Sequence, residues 1–152
     1  MRKRVLIIGD SGVGKTTLAR RLAGVEDLNP DMTRGVEFYL VEGYLVWDLS
    51  GQEKFFKPLE ELALKGDFLA LLVADNTRPS TLYNIRRKWA KKLPRDVSKA
   101  LVMNKLDLAR PPEEGREVAK ELRACYIECS AKTGEGVDKV VEWIRGKCPS
   151  PV

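Results

Sequence analysis

The sequence predicts an α/β protein in which a mostly parallel β-sheet is covered by helices on both faces. Short apolar runs typical of buried strands alternate along the chain with segments whose apolar residues recur at helical spacing. One pair of strand-like segments is joined by Glu42-Gly43 alone, which indicates a two-residue hairpin. Alternating strands and helices favour parallel pairing, and the hairpin adds one antiparallel strand to the sheet.

The predicted elements follow in order from the amino terminus. The segments with strand character are 5–8, 38–41, 44–47, 68–74, 100–103 and 126–129. The first helix begins at Thr16 and fades by Gly24, residues 28–33 form a loop, and a second helix is predicted over 80–93. The clearest helical spacing is that of Val137, Val140, Val141 and Ile144.

Composition limits the chemistry. A chain of 152 residues predicts one domain, spanning residues 1–152, with a core large enough to fold without cross-links. The absence of histidine excludes a histidine general base and a histidine-containing zinc site. Cys125, Cys129 and Cys148 include no Cys-x-x-Cys pair, so we expect free thiols, with Cys125 and Cys129 in or near the core.

No apolar run approaches the roughly 18 residues that span a membrane. Met-Arg-Lys-Arg leads directly into a strand-like segment, which is unlike a secretory signal, and Cys148 lies too far from the terminus for a prenylation box. We therefore expect a cytoplasmic protein without an integral membrane segment or lipid anchor, with transient association with a membrane surface left open.

The net charge of +5 is concentrated in the second predicted helix. Its apolar residues are spaced to face inward, and its basic residues Arg86, Arg87, Lys88, Lys91 and Lys92 then lie mostly outward. A solvated helix face is the first interpretation, and an acidic partner or anionic lipid surface is the alternative. Nucleic acid is not favoured, because no aromatic residues are interleaved with the charge.

Gly9-Asp-Ser-Gly-Val-Gly-Lys-Thr16 matches the pattern G-x-x-x-x-G-K-[ST], directly after a strand and at the start of a helix. Its glycines let backbone N–H groups converge on phosphate oxygens, and the helix N-terminus adds its positive end. Lys15 is placed for the β- and γ-phosphates and Thr16 for Mg²⁺. The motif predicts a nucleoside triphosphate but not its base. The candidate phosphate-binding residues are Gly9, Asp10, Ser11, Gly12, Val13, Gly14, Lys15, Thr16 and Thr17.

Asn104-Lys-Leu-Asp107 follows another strand. The Asp107 carboxylate can accept hydrogen bonds from N1–H and the exocyclic amine of guanine, whereas adenine would leave it facing an acceptor. Asp107 could instead cap the turn before Pro111. Ser130-Ala131-Lys132, after the last strand, could offer a backbone N–H to the guanine oxygen.

Together with Asp48-x-x-Gly51-Gln52, these motifs resemble the Ras superfamily of small GTPases. The wording GDSGVGKT, WDLSGQE and TRGVEF is nearest to the Rab-like branch. The resemblance implies a Ras-type G domain of the P-loop NTPase class: a six-stranded mixed sheet with one antiparallel strand, about five helices and two switch loops.

The resemblance also implies roles for individual residues. Thr33 is similar to the switch threonine that closes on Mg²⁺ and the γ-phosphate, and Asp48 to the residue that holds the metal through water. Gly51 is similar to the backbone donor to the γ-phosphate, and Gln52 to the residue that orients the attacking water. Asn104 and Lys105 resemble the pair that ties the base site to the P-loop and covers guanine, and Ala131 resembles the reader of the guanine oxygen.

We expect a monomeric, Mg²⁺-dependent GTP/GDP switch that hydrolyses GTP slowly alone, is stimulated by a partner and presents its switch loops to regulators and effectors. Ser11 replaces a glycine of Ras proper, and the fifteen residues from Thr33 to Asp48 are fewer than the Rab-like pattern has. Arg34 is the nearest candidate for an arginine acting in cis. The alternatives are a nucleotide-binding interaction module that does not cycle, and a P-loop ATPase or small-metabolite kinase, for which no lid segment is visible.

Overall fold

The computed structural model describes residues 3–25, 37–49, 61 and 63–149. Its six strands are β1 Arg4–Ile8, β2 Glu37–Val41, β3 Tyr44–Asp48, β4 Phe68–Asp75, β5 Ser98–Asn104 and β6 Cys125–Glu128. They form one sheet in the order β2-β3-β1-β4-β5-β6. Among these strands only β2 and β3 pair antiparallel. The predicted six-stranded mixed sheet is confirmed.

Four α-helices lie in the described part of the chain, where the resemblance implies about five. They are α1 Lys15–Ala23, α2 Pro79–Asn84, α3 Glu114–Leu122 and α4 Val137–Ile144. Residues 61 and 63 are also helical. Within these ranges, no helix combines the length and apolar character needed to cross a membrane.

The helix predicted over 80–93 is continuous but not uniform. After α2 it passes into a π-helical turn, Ile85–Trp89, and then into a 3₁₀ turn, Ala90–Lys92. Its apolar side is buried as expected, with Ile85 fully covered. On the outer side Arg86 and Arg87 are exposed, and Arg86 pairs with Glu121 at 2.8 Å.

The hydrophobic core lies on both faces of the sheet. In β1, Val5 and Ile7 belong to the cluster that includes α1 and α4, whereas Leu6 and Ile8 belong to the cluster that includes α2, the π turn and α3. Successive side chains of a strand point to opposite faces, so a strand covered on both faces is apolar throughout. This is why β1 and β4 are continuous apolar runs in the sequence.

The expectation of three free thiols was wrong. Cys125, at the start of β6, forms a disulfide with Cys148, which follows α4, and their Cα atoms are 5.8 Å apart. Helix α4 returns the chain to the amino-terminal end of β6, so the two cysteines meet there although 23 positions separate them. Cys129 is free and buried, and burial raises the pKa of its thiol to about 12.

Candidate functional site

The sequence motifs converge at one edge of the sheet. The P-loop, residues 9–16, follows β1, and Asp48 ends β3. Asn104 ends β5, and Ser130 lies two residues after β6. These four strands are mutually parallel, directly or through their neighbours, so their carboxyl ends share this edge. In open α/β sheets this edge is where ligands bind.

Two glycines of the P-loop are required by close contacts. A Cβ on Gly9 would lie 2.4 Å from the Val73 carbonyl oxygen, which belongs to the neighbouring strand β4. A Cβ on Gly14 would lie 2.3 Å from Asn104 Nδ2, and Gly14 has a φ of +100°. The loop therefore passes close to β4 and β5 in a form that larger residues cannot adopt.

Lys15 lies across the P-loop and is almost fully buried. Its Nζ donates hydrogen bonds to the carbonyl oxygens of Gly9 and Asp10, both at 2.7 Å. Burial lowers the pKa of Lys15 to about 8, although the charges of Asp48 and Asp10 act in the opposite direction. The ammonium is thus held within the loop, where a phosphate would restore its preference for the charged form.

Thr16 and Asp48 form a pair of oxygen donors beside the loop. Thr16 Oγ1 donates to Asp48 Oδ2 at 2.5 Å, and the Asp48 side chain is inaccessible to solvent. A hydroxyl and a carboxylate are the ligand types that Mg²⁺ accepts, directly or through water. The residues present therefore fit the metal that the resemblance implies.

Asn104 joins three segments of the site. Its Nδ2 donates to the Val13 carbonyl in the P-loop at 2.9 Å, and its Oδ1 accepts from the Ala131 backbone N–H at 3.0 Å. Asn104 is 2% exposed. One buried amide at the end of β5 thus fixes the separation between the P-loop and the 130–132 segment.

Asp107 is exposed and is oriented by Ser130, whose Oγ donates to Asp107 Oδ1 at 2.8 Å. The same Ser130 hydroxyl accepts the Thr133 backbone N–H at 3.1 Å. The Asp107 carboxylate is therefore held against the 130–132 segment. The alternative role, capping the turn before Pro111, is not favoured by this geometry.

Lys105 has a positive φ of 72°, and its Nζ lies 2.9 Å from Asp75 Oδ2 at the end of β4. Burial alone would raise the pKa of Asp75, but hydrogen bonds from Thr77, Lys105 and Arg78 outweigh it and hold the pKa at about 2. Sequence reasoning did not single out Asp75. Its position at a strand end on the functional edge was the available signal.

Two arginines that sequence reasoning missed support the site from outside the motifs. Arg21 of α1 donates from Nε to the Ala131 carbonyl at 3.0 Å and from Nη2 to the Lys132 carbonyl. Arg78 donates from Nη2 to the Ser11 carbonyl at 2.8 Å. No local pattern identifies either residue, because each bond joins parts of the chain far apart in sequence.

Three predicted site residues, Thr33, Gly51 and Gln52, lie outside the described residues, as does Arg34. Their roles stay predictions. The remaining predicted residues are at the edge described above, including Thr17, which is half-buried in α1.

Comparison with known proteins places the chain in a family. The Ras family model matches residues 4–149. The chain is 38% identical to Ras-related protein RABC2b of Arabidopsis thaliana, over 91% of the chain and 76% of that protein. It is 34% identical to Ras-related protein RabJ of Dictyostelium discoideum, over 91% of the chain and 60% of that protein. It is 29% identical to human Ras-related protein Rab-31, over 96% of the chain and 83% of that protein.

The chain belongs to the Ras family. The family is one of small GTPases, so the resemblance stated from the motifs is confirmed, together with the Ras-type fold and GTP hydrolysis as the activity.

Proposed function

We propose that this protein is a Mg²⁺-dependent GTP/GDP switch whose nucleotide lies across the sheet edge, with phosphates at the P-loop and guanine between the 104–107 and 130–132 segments. The observation that carries the proposal is the double hydrogen bond of Asn104, to the Val13 carbonyl and from the Ala131 N–H. It holds the proposed phosphate-binding loop and the proposed base-binding segment at a fixed spacing.

At the phosphate end, the N–H groups of residues 9–17 surround the phosphates. Lys15 is already inside this loop, bonded to its carbonyls. An ammonium has three protons and two of them already donate to these carbonyls, so Lys15 can bind one phosphate oxygen as it stands and a second one by releasing a carbonyl. Thr16 and Thr33 would hold Mg²⁺, with Asp48 acting through water, and the ion would neutralise charge on the β- and γ-phosphates.

In the hydrolytic step, Gln52 orients water for in-line attack and the Gly51 N–H binds the γ-phosphate. Phosphoryl transfer depends mainly on positioning and charge stabilisation, so an amide that does not titrate can matter greatly. A stabilising arginine contributes roughly 10³–10⁵ in rate. We infer slow intrinsic turnover that a protein partner stimulates, and a γ-phosphate-dependent order of the loops containing Thr33 and Gln52 that effectors recognise.

At the base end, Asp107 is the specificity residue. Its carboxylate is held by Ser130 and is open to a ligand. Guanine offers it two donors, whereas adenine offers none at the corresponding positions. Bound adenine would leave the carboxylate without both hydrogen bonds, and a hydrogen bond to a charged group contributes about 1.5–3 kcal/mol to the free energy of binding.

The test is a displacement titration with fluorescent GDP in Mg²⁺ buffer, using GTP, GDP and ATP as competitors. We expect GTP and GDP to compete at least about a thousandfold better than ATP, which corresponds to about 4 kcal/mol. Asp107→Asn should lose most of this preference, whereas Asp96→Asn, which changes an exposed aspartate at the opposite edge of the sheet, should keep it. Comparable competition by ATP would refute the guanine site.

Single-turnover hydrolysis of bound GTP separates the switch from a nucleotide-binding module that does not cycle. We expect measurable hydrolysis that EDTA abolishes and that Gln52→Ala slows at unchanged GTP affinity. Undetectable hydrolysis, with candidate partners present, would favour the module.

A further inference from the structure

The side chain of Asp10, at a variable position of the P-loop motif, is bonded through both carboxylate oxygens. Oδ2 accepts from Asn84 Nδ2 at 2.7 Å, and Oδ1 accepts from the Trp89 indole Nε1 at 2.8 Å. The two donors lie at the ends of the π-helical turn that follows α2. We refer to Asp10, Asn84 and Trp89 as the P-loop clasp.

The π turn explains how Asn84 and Trp89 reach one carboxylate. Residues five apart in an α-helix are separated by about 140° around the axis, since each residue turns about 100°. In a π turn the hydrogen bond runs between residues five apart, so those residues lie on nearly the same side. The bond from the Ala90 N–H to the Ile85 carbonyl shows this spacing. An α-helix over the same residues would direct one of the two donors away from Asp10.

The indole of Trp89 is itself fixed in place. Trp89 is 7% exposed, and the ammonium groups of Lys88 and Lys92 lie 4.6 and 5.5 Å from the centroid of its ring. Such contacts with an aromatic face are attractive. The donor that meets Asp10 is therefore held both by the core and by charge.

Ser11, the next residue of the P-loop, is hydrogen-bonded by Arg78, which lies between β4 and α2. Arg78 Nη2 bonds the Ser11 carbonyl at 2.8 Å while its Nε bonds Asp75 Oδ2 at 3.2 Å. The bonds of the P-loop clasp and the bond from Arg78 to Ser11 do not use any P-loop N–H group, and the proposed phosphate site needs those groups. The segment from β4 to the π turn thus bonds Asp10 and Ser11 and leaves the backbone N–H groups of the loop available to phosphate.

We propose that Asn84 and Trp89 are positioning residues that act through Asp10 to keep the P-loop in its phosphate-binding shape, and that the π turn exists to align them. A loop held in this way loses less conformational freedom when nucleotide binds. Loosening the clasp therefore speeds nucleotide release. The inference rests on the proposed nucleotide site.

The experiment measures the rate at which fluorescent GDP leaves the full-length protein in Mg²⁺ buffer on addition of excess GDP. Trp89→Phe removes the indole N–H and keeps an aromatic ring, and we expect about tenfold faster release, the effect of one hydrogen bond to a charged group. Trp143→Phe is the matched control, because Trp143 is equally buried but lies in the hydrophobic cluster on the other face of the sheet. It should release GDP at the wild-type rate.

A double-mutant cycle distinguishes positioning from general loss of stability. In an Asp10→Ala background, Trp89→Phe should change the release rate less than twofold, because the bond it removes is already absent. Independent effects of the two substitutions, or a wild-type rate for Trp89→Phe, would overturn the proposal. If Trp89→Phe does not fold, Asn84→Ala, at a half-buried position, takes its place in the same cycle. Failure of the wild type to bind GDP would instead refute the proposed function.

Discussion

Replacement of Asn104 by alanine should destabilise the protein even without nucleotide. The Oδ1 atom of the side chain accepts a weak bond from Cys129 Sγ at 3.7 Å, and two backbone groups also depend on the side chain: the Val13 carbonyl, 2.9 Å from Nδ2, and the Ala131 N–H, 3.0 Å from Oδ1. Both partner residues are buried, Val13 completely and Ala131 to 1% exposure. Asn104→Ala therefore strands one acceptor and one donor where water has little access.

The magnitude follows from these two groups. A buried polar group that loses its partner costs about 1–3 kcal/mol, so the pair predicts a loss of about 2–6 kcal/mol in the free energy of unfolding. Asn76→Ala is the matched control. Asn76 is 7% exposed and donates one bond, to the Ala109 carbonyl at 3.0 Å. Its Oδ1 is buried without a partner in the part of the chain that the structure describes, so we expect a cost of about 1 kcal/mol.

The assay is urea unfolding of nucleotide-free protein, followed by tryptophan fluorescence. Variants are compared only if the slope of their unfolding free energy against urea concentration equals that of the wild type. Release of fluorescent GDP, measured in parallel, should be faster in Asn104→Ala and unaffected in Asn76→Ala. The reasoning is refuted if Asn104→Ala costs less than 1 kcal/mol or no more than Asn76→Ala. Either result would mean that the two segments hold their spacing without the amide.

Two further predictions concern groups outside the proposed site. The Cys125–Cys148 bond joins residues 23 positions apart, and closing such a loop stabilises a protein by about 3 kcal/mol. Reduction should lower the urea midpoint, and thiol titration of denatured protein should rise from one thiol to three. A Cys125→Ser/Cys148→Ser variant should not respond to reductant, and three thiols before reduction would refute the bond. The pKa of Asp75 falls from 3.8 to about 2 on folding, so the unfolded chain binds more protons between these values and stability declines as pH falls from about 4 to 2. The expected contribution, about 2 kcal/mol, should be absent when the free energy of unfolding of Asp75→Asn is measured against pH; the same pH dependence in wild type and variant would contradict it.

The strands were predictable because physics acts on them locally. A strand buried on both faces must be apolar at consecutive positions, and β4 carries that pattern from Phe68 to Ala74. The hairpin was equally local, since Glu42 and Gly43 both adopt the positive φ values that a two-residue turn requires. The P-loop could be located because its glycines, lysine and hydroxyl all fall within eight consecutive residues, Gly9 to Thr16.

The cysteine pairing could not be predicted in this way. Spacing alone does not say where Cys148 lies, because its position depends on the direction in which α4 returns along the sheet. The same holds for Arg21, whose bond to the Ala131 carbonyl joins residues 110 positions apart. Such contacts depend on how elements pack, and packing is not a property of any short window of sequence.

The P-loop motif specifies some residues of the loop but says nothing about the contacts of the residues between them. The motif specifies glycines, a lysine and a hydroxyl, because the phosphate site needs those groups, and it leaves the residue at Asp10 open. In the proposed site the phosphates are bound by backbone N–H groups and Lys15, so the side chain at that open position is available for contacts with the rest of the fold. In this chain it bonds Asn84 and Trp89, which lie 74 and 79 positions away. At a position that a binding motif leaves unspecified, the side chain can therefore form hydrogen bonds with distant residues of the particular protein and so connect the binding site to the rest of its fold.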